Sequence, residues 1–189
     1  RKRECGAVFH RTKRLFLRPA FPEDWEAIYQ GVAEEAIVRN LARVPWPYLP
    51  QHAQEFAARG QDPHIPNFAV TLPDPDGGAA LIGMAGLLID EAGALQIGYW
   101  LARPYWGQGY ATEAALGVLE VARMLGIRQL HAGHFADNPV SGAVLRKVGF
   151  VPSGTTSMLF SVARGEKAQM VDYAIDLAPD DNSELRRAA

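Results

Sequence analysis

The sequence predicts an α/β protein built on a mixed sheet of six to seven strands, with helices packed against it. Two observations predict this class. Seven short segments have the alternating or β-branched apolar pattern of strands, and helical patterns occur before and between them. With 189 residues, of which 48% are apolar, the chain can fill the core of a single domain.

The first third of the chain predicts a strand, a helix and an aromatic segment rich in proline. Residues 14–18 (RLFLR) alternate as in a strand, and two prolines separate them from a helical pattern over 23–38. Residues 41–66 contain VPWPYLP and a short polar helix pattern over 51–59. A loop-rich segment of this kind is suited to a flap that faces a substrate.

Three strands in series follow, and a fourth lies parallel to the last of them. The segments 67–72, 80–90 and 94–101 are joined by glycine-containing turns that are typical of hairpins, which predicts an antiparallel meander. A helix over 111–125 then crosses to a strand over 128–135. Such a crossover places the two strands that it connects parallel to each other.

The last third of the chain predicts a capped helix and a final hairpin. Asn138 is a favourable N-cap, and Pro139 suits the first position of a helix that closes at Gly149. Two strand patterns follow, over 157–163 and 168–177, and we expect them to pair antiparallel.

The turn before the helix over 111–125 has the composition of a pyrophosphate site. Gly107 and Gly109 allow the backbone to turn its amides inward and to approach a ligand closely. The amino end of the following helix adds about half a positive charge, which favours anionic oxygens.

A dinucleotide fold is the main alternative for this turn. The residues GQGYAT match part of the fingerprint G-x-G-x-x-G, which opens a first βαβ unit and is followed about 20 residues later by an acid. Here the turn comes after several strands, and the next strand pattern, RQLHAGHF, contains no acid. The dinucleotide interpretation of this turn is therefore disfavoured.

The charge balance and the cysteine content exclude several functions. Lys and Arg number 19 against 21 Asp and Glu, and the resulting formal charge of -2 does not predict nucleic-acid binding. Cys5 is the only cysteine, so no internal disulfide or multi-cysteine metal site can form. No apolar run reaches the roughly 20 residues that span a bilayer. We expect a cytoplasmic protein without a membrane partner.

The two ends of the chain predict a basic leader and a polar tail. Seven of the first 18 residues are Lys or Arg. We expect a flexible leader over 1–11, which is either disordered or a patch that meets an acidic partner. Residues 178–189 have the composition of a frayed tail. The functional domain is therefore expected over 12–177.

Three stretches carry a family resemblance: TKRLFLRPAFPEDWEAI, IGYWLARPYWGQGYATEA and DNPVSGAVLRKVGF. From Thr12 to Leu177 the chain resembles the GNAT superfamily of acyl-CoA-dependent N-acyltransferases, and within it the RimJ/RimL-type protein N-terminal acetyltransferases. The resemblance implies the GNAT fold, in which the central parallel strands splay apart and helices cover both faces of the sheet. It also implies acetyl-CoA as cosubstrate, no metal, and direct transfer to an amine in a ternary complex.

The resemblance further implies a set of acetyl-CoA contacts. The family's loop carries Arg or Gln, two residues, Gly, one residue and Gly or Ala, and the equivalent here is WGQGYA, in which Trp106 replaces the basic or amide residue. Family members also use the splayed strand and an Asn at the start of the next helix. The implied contacts are Trp100, Leu101, Trp106, Gly107, Gln108, Gly109, Tyr110, Ala111, Thr112, Asn138 and Ser141.

Acetyl transfer of this kind needs an oxyanion donor and a group that stabilises the departing thiolate. The backbone around Trp100 and Leu101 is the expected oxyanion donor. A thiol has a pKa near 8.5, so the thiolate benefits from a hydrogen bond. Ser141 matches a family position close to the sulfur, and Tyr105 is the second candidate. The ordinary alternatives are a first-turn serine and, for Asn138, a helix cap alone.

The attacking amine must also be uncharged. At pH 7 an α-amino group with a pKa of about 7.8 is roughly 10 to 15% neutral, whereas a lysine amine at about 10.4 is well under 0.1% neutral. An N-terminal substrate therefore needs less help from a base. Gln96 stands where many relatives have an acid. The remaining acids, none of which is assigned, are Asp90, Glu91, Glu34 and Glu35.

Several side chains keep two interpretations. Trp46 and Tyr48 either line an acceptor pocket together with Gln96 or pin the loop to the core. Arg146 and Lys147 either reach a CoA phosphate or form a solvated helix face. The odd spacing of His131 and His134 on one strand places them on opposite faces, which disfavours a metal pair.

Two other functions remain open beside N-terminal acetylation. A small-molecule N-acetyltransferase acting on an antibiotic, a polyamine or an amino acid would share every motif, and the segment 41–66 would decide between the two. A noncatalytic acyl-CoA-binding protein is the other alternative, supported by the missing acid at Gln96. A monomer and a homodimer are both compatible with the sequence.

Overall fold

The computed structural model describes residues 7–177, which form one eight-stranded mixed sheet with helices on both faces. Cys5, most of the predicted leader and the predicted tail over 178–189 lie outside the described residues. The strands are β1 (His10–Arg11), β2 (Phe16–Pro19), β3 (Asn67–Pro73), β4 (Ala79–Ile89), β5 (Leu95–Leu101), β6 (Gln129–Phe135), β7 (Val151–Ser161) and β8 (Glu166–Asp176). The α-helices are α1 (Trp25–Val32), α2 (Glu35–Val38), α3 (Pro50–Ala57), α4 (Tyr110–Met124) and α5 (Pro139–Lys147).

The strand count is larger than the six to seven predicted. The additional strand, β1, has only two residues and pairs antiparallel with β2. Two residues are too few to show an alternating pattern, so the prediction assigned them to the leader. The sheet therefore begins at His10, inside the segment over 1–11 that was predicted to be flexible.

The single helix predicted over 23–38 is divided in the structure. A 3-10 turn over Pro22–Asp24 leads into α1, which ends at Val32. Ala33 (φ -74°, ψ 49°) and the extended Glu34 (φ -125°, ψ 133°) interrupt the helical backbone before α2 begins. The predicted helix over 51–59 corresponds to α3.

The strand order is β1-β2-β3-β4-β5-β6-β8-β7, and only β5 and β6 are parallel. The antiparallel meander β3-β4-β5, the parallel placement of β6 and the final β7-β8 hairpin are thereby confirmed. The pairing of β5 with β6 is limited to Gln96 and His131, near the start of both strands. Beyond this pair the two strands diverge, so the splay implied by the family resemblance is present.

Two apolar cores lie on opposite faces of the sheet. Helices α4 and α5 cover one face, where Val118, Leu119 and Leu145 pack against strand residues such as Phe68 and Leu130. Helices α1, α2 and α3 cover the other face, where the core contains Met84 and is bordered by Trp100. The splay between β5 and β6 is therefore an opening in the sheet that connects its two covered faces. Within residues 7–177 no helix is long and apolar enough to cross a membrane.

Candidate active site

A cavity of about 980 Å³ passes through the splay between β5 and β6. Its wall on the α4 and α5 face includes the turn before α4 and the start of α5. Its wall on the other face includes α2, the segment that follows α2, and the strand residues Gly98, Trp100 and Gly133. One ligand can therefore enter from each face, and the two can meet in the gap between the strands.

The turn before α4 presents a row of backbone amides to this cavity. Gly107 (φ 73°) and Gly109 (φ 80°) adopt left-handed conformations that favour glycine. Between Gly107 and Thr112, no backbone amide donates a hydrogen bond within the described part of the chain; the first helical bond is donated by Glu113 to Gly109. The 15-residue helix α4 directs its positive end at the same place. Free amides at a helix N-terminus are suited to the pyrophosphate of CoA.

The turn is braced from outside the cavity by contacts that the sequence did not suggest. Arg14 donates to the Gln108 carbonyl at 3.1 Å and to the Glu113 carboxylate at 2.6 Å, and its guanidinium lies 4.3 Å from the centre of the Tyr110 ring. Burial tends to raise the pKa of Glu113, but hydrogen bonds from Thr12 and Arg14 outweigh it and lower that pKa. Glu113 therefore stays ionised and holds Arg14 against the turn.

Trp106 anchors the other end of the turn. Its indole N–H donates to the Leu101 carbonyl at 2.7 Å, which ties the turn to the last residue of β5. Trp106 lines the cavity, whereas the side chain of Gln108 does not and instead donates to the Pro104 carbonyl. At Gln108 only the backbone amide can serve the predicted site.

The backbone of β5 offers hydrogen-bond donors to the splay at alternate residues. Ala102 donates to Ile82 of β4 at 2.8 Å, and Trp100 lies two residues earlier in the same register, so its amide also faces β4. The amides of Tyr99 and Leu101 then face the gap that β6 leaves. Of the two residues expected to supply the oxyanion donor, Leu101 therefore directs its amide into the gap, as Tyr99 also does, whereas Trp100 does not and instead lines the cavity with its ring on the α1 face.

The start of α5 holds Asn138 and Ser141 beside the same gap. The Asn138 side-chain oxygen accepts from the Ser141 amide at 3.5 Å, which confirms Asn138 as the N-cap. The Ser141 hydroxyl lies 2.9 Å from the Tyr99 hydroxyl, and Tyr99 also lies 3.1 Å from the Ser141 carbonyl. All three residues line the cavity.

Tyr99 is a site residue that the sequence reasoning missed. Burial raises the pKa of Tyr99 to about 12, so the phenol stays protonated and can donate to Ser141 across the neutral pH range. Tyr99 lies two residues from the core residues Ile97 and Leu101, and residues two apart on a strand share a face. That spacing is the signal that could have placed the Tyr99 side chain on the α5 face. Tyr105 also lines the cavity, but its ring packs edge-on against Tyr110 and its hydroxyl makes no hydrogen bond within residues 7–177.

The acceptor side of the cavity differs from the prediction. Trp46 and Tyr48 do not line it: Trp46 is exposed, and Tyr48 is buried between Tyr29 and His52. The cavity therefore gives no support to substrate contact by these two side chains, and Tyr48 holds its loop to the core, as the other interpretation expected. Gln96 does line the cavity.

Gln96 is engaged with a neighbouring carboxylate rather than free. Its side-chain amide donates to Asp90 at 2.8 Å. Hydrogen bonds from the Ala94 and Ala92 amides, together with that from Gln96, lower the pKa of Asp90. Of the other predicted acids, Glu34 lies 3.6 Å from Arg103.

The remaining basic candidates, Arg146, Lys147, His131 and His134, have different surroundings. Arg146 donates to the Tyr173 hydroxyl at 2.8 Å, whereas Lys147 lines the cavity. His134 is buried on the α5 face, with Nδ1 2.8 Å from the Phe135 carbonyl, and His131 lies on the opposite face of β6. No group of three or more metal-binding side chains occurs among the described residues.

Comparison with known proteins agrees with this geometry. Residues 14–151 match the model of the acetyltransferase (GNAT) domain. The chain is 27% identical over 146 residues to the uncharacterized N-acetyltransferase YnaD of Bacillus subtilis, with 76% of this chain and 82% of that protein covered.

Solved structures are similar across nearly the whole fold. A GNAT-family acetyltransferase from Bacillus anthracis superposes with a TM-score of 0.75 at 21% identity, covering 90% of this chain and 99% of that one. RimL, the ribosomal L7/L12 α-N-protein acetyltransferase, in complex with coenzyme A superposes with a TM-score of 0.74 at 20% identity, covering 92% and 100%.

Proposed function

The chain belongs to the GNAT acetyltransferase family, and on that premise we propose that it transfers the acetyl group of acetyl-CoA to the α-amino group at the N-terminus of a protein or peptide. The observation that carries the proposal is the continuous cavity through the splay, with free amides at one end and hydroxyl groups in the middle. The N-terminal acceptor is supported by the RimJ/RimL resemblance and by the fold shared with RimL.

The turn over 107–112 and the neighbouring strand hold acetyl-CoA in this proposal. The amides from Gly107 to Thr112 bind the pyrophosphate, because no protein acceptor within the described residues competes for them. Asn138 orders the start of α5 beside the pantetheine. The Leu101 amide, and the Tyr99 amide before it, donate to the carbonyl oxygen as negative charge develops on it.

Ser141 stabilises the sulfur as it leaves. The Tyr99 phenol has one proton and can donate it to the Ser141 hydroxyl at 2.9 Å or to the Ser141 carbonyl at 3.1 Å. With the phenol donating to the hydroxyl, the Ser141 proton is free for the thiolate. Because Tyr99 is protonated throughout the neutral range, this arrangement does not depend on a titrating side chain. Tyr105, whose hydroxyl makes no hydrogen bond among residues 7–177, is the second candidate donor.

The acceptor preference follows from the ionisation of the amine. An α-amino group is neutral far more often than a lysine at pH 7.5 because its pKa is lower by more than 2 units. We expect a lysine-free peptide with a free N-terminus to be acetylated at least about 10-fold faster than an N-terminally blocked peptide with one lysine. Free-thiol release measures the rate, and mass spectrometry locates the acetyl group.

The same assay separates the alternatives. A faster lysine peptide would contradict the N-terminal preference. Release with an aminoglycoside or a polyamine but with neither peptide would identify a small-molecule acetyltransferase. Tight binding of acetyl-CoA without release for any amine would identify a noncatalytic acyl-CoA-binding protein.

A further inference from the structure

The acceptor face of the cavity contains a carboxylate on β8. Asp172 pairs with Gly133 of β6 in the antiparallel register, and both line the cavity. A Cβ atom at Gly133 would lie 2.8 Å from Met170 Cε and 3.7 Å from Asp172 Oδ1, so the carboxylate lies beside Gly133, next to the Met170 side chain. Gly133 follows the Gln96–His131 pair by two residues, as Gly98 does on β5. Asp172 therefore lies across β6 from the start of the splay.

The polar partners of Asp172 leave its carboxylate with capacity for a ligand. The Ser157 hydroxyl donates to Oδ1 at 2.9 Å, and the Thr155 hydroxyl donates to Oδ2 at 3.5 Å. No cation pairs with Asp172 among the described residues. A carboxylate can accept about four hydrogen bonds, so these two hydroxyls leave room for an ammonium group.

The other carboxylates of the cavity are engaged or peripheral. Asp90 accepts hydrogen bonds from two backbone amides and from Gln96. Asp137 pairs with Arg39 and Arg164, and the hydrogen bonds from Arg164 lower the pKa of Asp137. Glu91 is exposed in the turn between β4 and β5.

The charged groups around Asp172 do not neutralise it. On the facing wall Arg39 pairs with Asp137, and Arg43 donates to the Ile89 carbonyl. On β6, His131 precedes Gly133 by two residues, and His134 points to the opposite face. The β7 residues that contact Asp172 contribute only hydroxyl groups.

We propose that Asp172 is the carboxylate that receives the acceptor amine, an inference that rests on the proposed function. The ammonium form of the acceptor donates a hydrogen bond to Asp172, directly or through one water, and transfers one proton to it. The neutral nitrogen then forms the N–C bond while the C–S bond breaks. The second proton lost from nitrogen passes to the sulfur by way of Ser141, and Asp172 returns its proton to solvent.

The test is Asp172→Asn, which keeps the shape and the acceptor oxygen for Ser157. We expect kcat/KM for the peptide amine to fall about 100-fold at pH 7, within the range of a general base. The deficit should shrink as the pH rises past the amine pKa of about 7.8, since solvent then supplies the neutral amine. The affinity for acetyl-CoA should not change.

The matched control is Asp176→Asn, an exposed aspartate on the same strand outside the cavity, which should keep the parent profile. Ser157→Ala is the second variant: it removes a hydrogen bond that orients the carboxylate, so kcat/KM for the peptide amine should fall by less than in Asp172→Asn while the affinity for acetyl-CoA does not change. Parent kcat/KM and pH profile in folded Asp172→Asn would overturn the role of Asp172 alone. An inactive parent would instead contradict the proposed function, and this inference with it.

Discussion

A Gly109→Val variant is expected to lose at least about 100-fold in affinity for acetyl-CoA. Gly109 has a φ of 80°, and a β-branched residue in that left-handed region costs at least about 1–2 kcal/mol. A shift of the backbone that relieves this strain would turn amides away from the pyrophosphate, each worth about 1.5–3 kcal/mol as a hydrogen bond to a charged group. Titration calorimetry with acetyl-CoA measures the loss.

Gly126→Val is the matched control for backbone strain. Gly126 follows α4 with a φ of 78°, has open space around it, and does not line the cavity. It should lose stability by a similar amount and keep its affinity for acetyl-CoA. Acetyl-pantetheine, which lacks the pyrophosphate, should bind the parent and Gly109→Val equally. Unchanged acetyl-CoA affinity in a folded Gly109→Val variant would contradict the assignment of the turn.

Ser141→Ala is expected to lower kcat by about 10- to 1000-fold and to leave the KM for acetyl-CoA little changed. The hydrogen bond to sulfur strengthens as the thiolate forms, so its removal affects the transition state more than the bound substrate. This range agrees with general acid contributions of roughly 10² to 10⁴, reduced where water can replace the serine. Steady-state kinetics under conditions where chemistry limits the rate measure the change.

Two further variants separate chemistry from architecture. Tyr99→Phe should lower kcat less than Ser141→Ala, because Ser141 keeps its own proton. Asn138→Ala should cost about 1 kcal/mol of unfolding free energy through the lost cap and should also weaken acetyl-CoA binding. If Ser141→Ala turns over at the parent rate, the sulfur receives its proton from Tyr105 or from water.

The sheet and the turn before α4 were predictable because they depend on local patterns. The alternating segments gave seven of the eight strands, and Gly107 and Gly109 indicated a backbone that only glycine adopts readily. The division of the first helix at Ala33 was missed because Ala33 and Glu34, where the backbone leaves the helical conformation, are residue types that favour a helix.

The residues that the sequence did not reveal depend on pairing between distant strands. Asp172 faces the cavity because β8 pairs with β6 in the register that sets Asp172 opposite Gly133. The register of β7 shifts between Pro152 and Thr156, and Thr155, inside this irregular segment, contacts the carboxylate. No local pattern encodes that register. The contact of Tyr99 with Ser141 likewise depends on the packing of α5 against β5, two elements that are far apart in the sequence.

A crystal structure of the protein with acetyl-CoA tests the central claim most directly. We predict that the sulfur lies in the gap between Leu101 and Phe135, within hydrogen-bond distance of the Ser141 hydroxyl, and that the pyrophosphate lies on the amides from Gly107 to Thr112. Acetyl-CoA bound with its pyrophosphate away from this turn, or with its thioester outside the splay, would contradict the account.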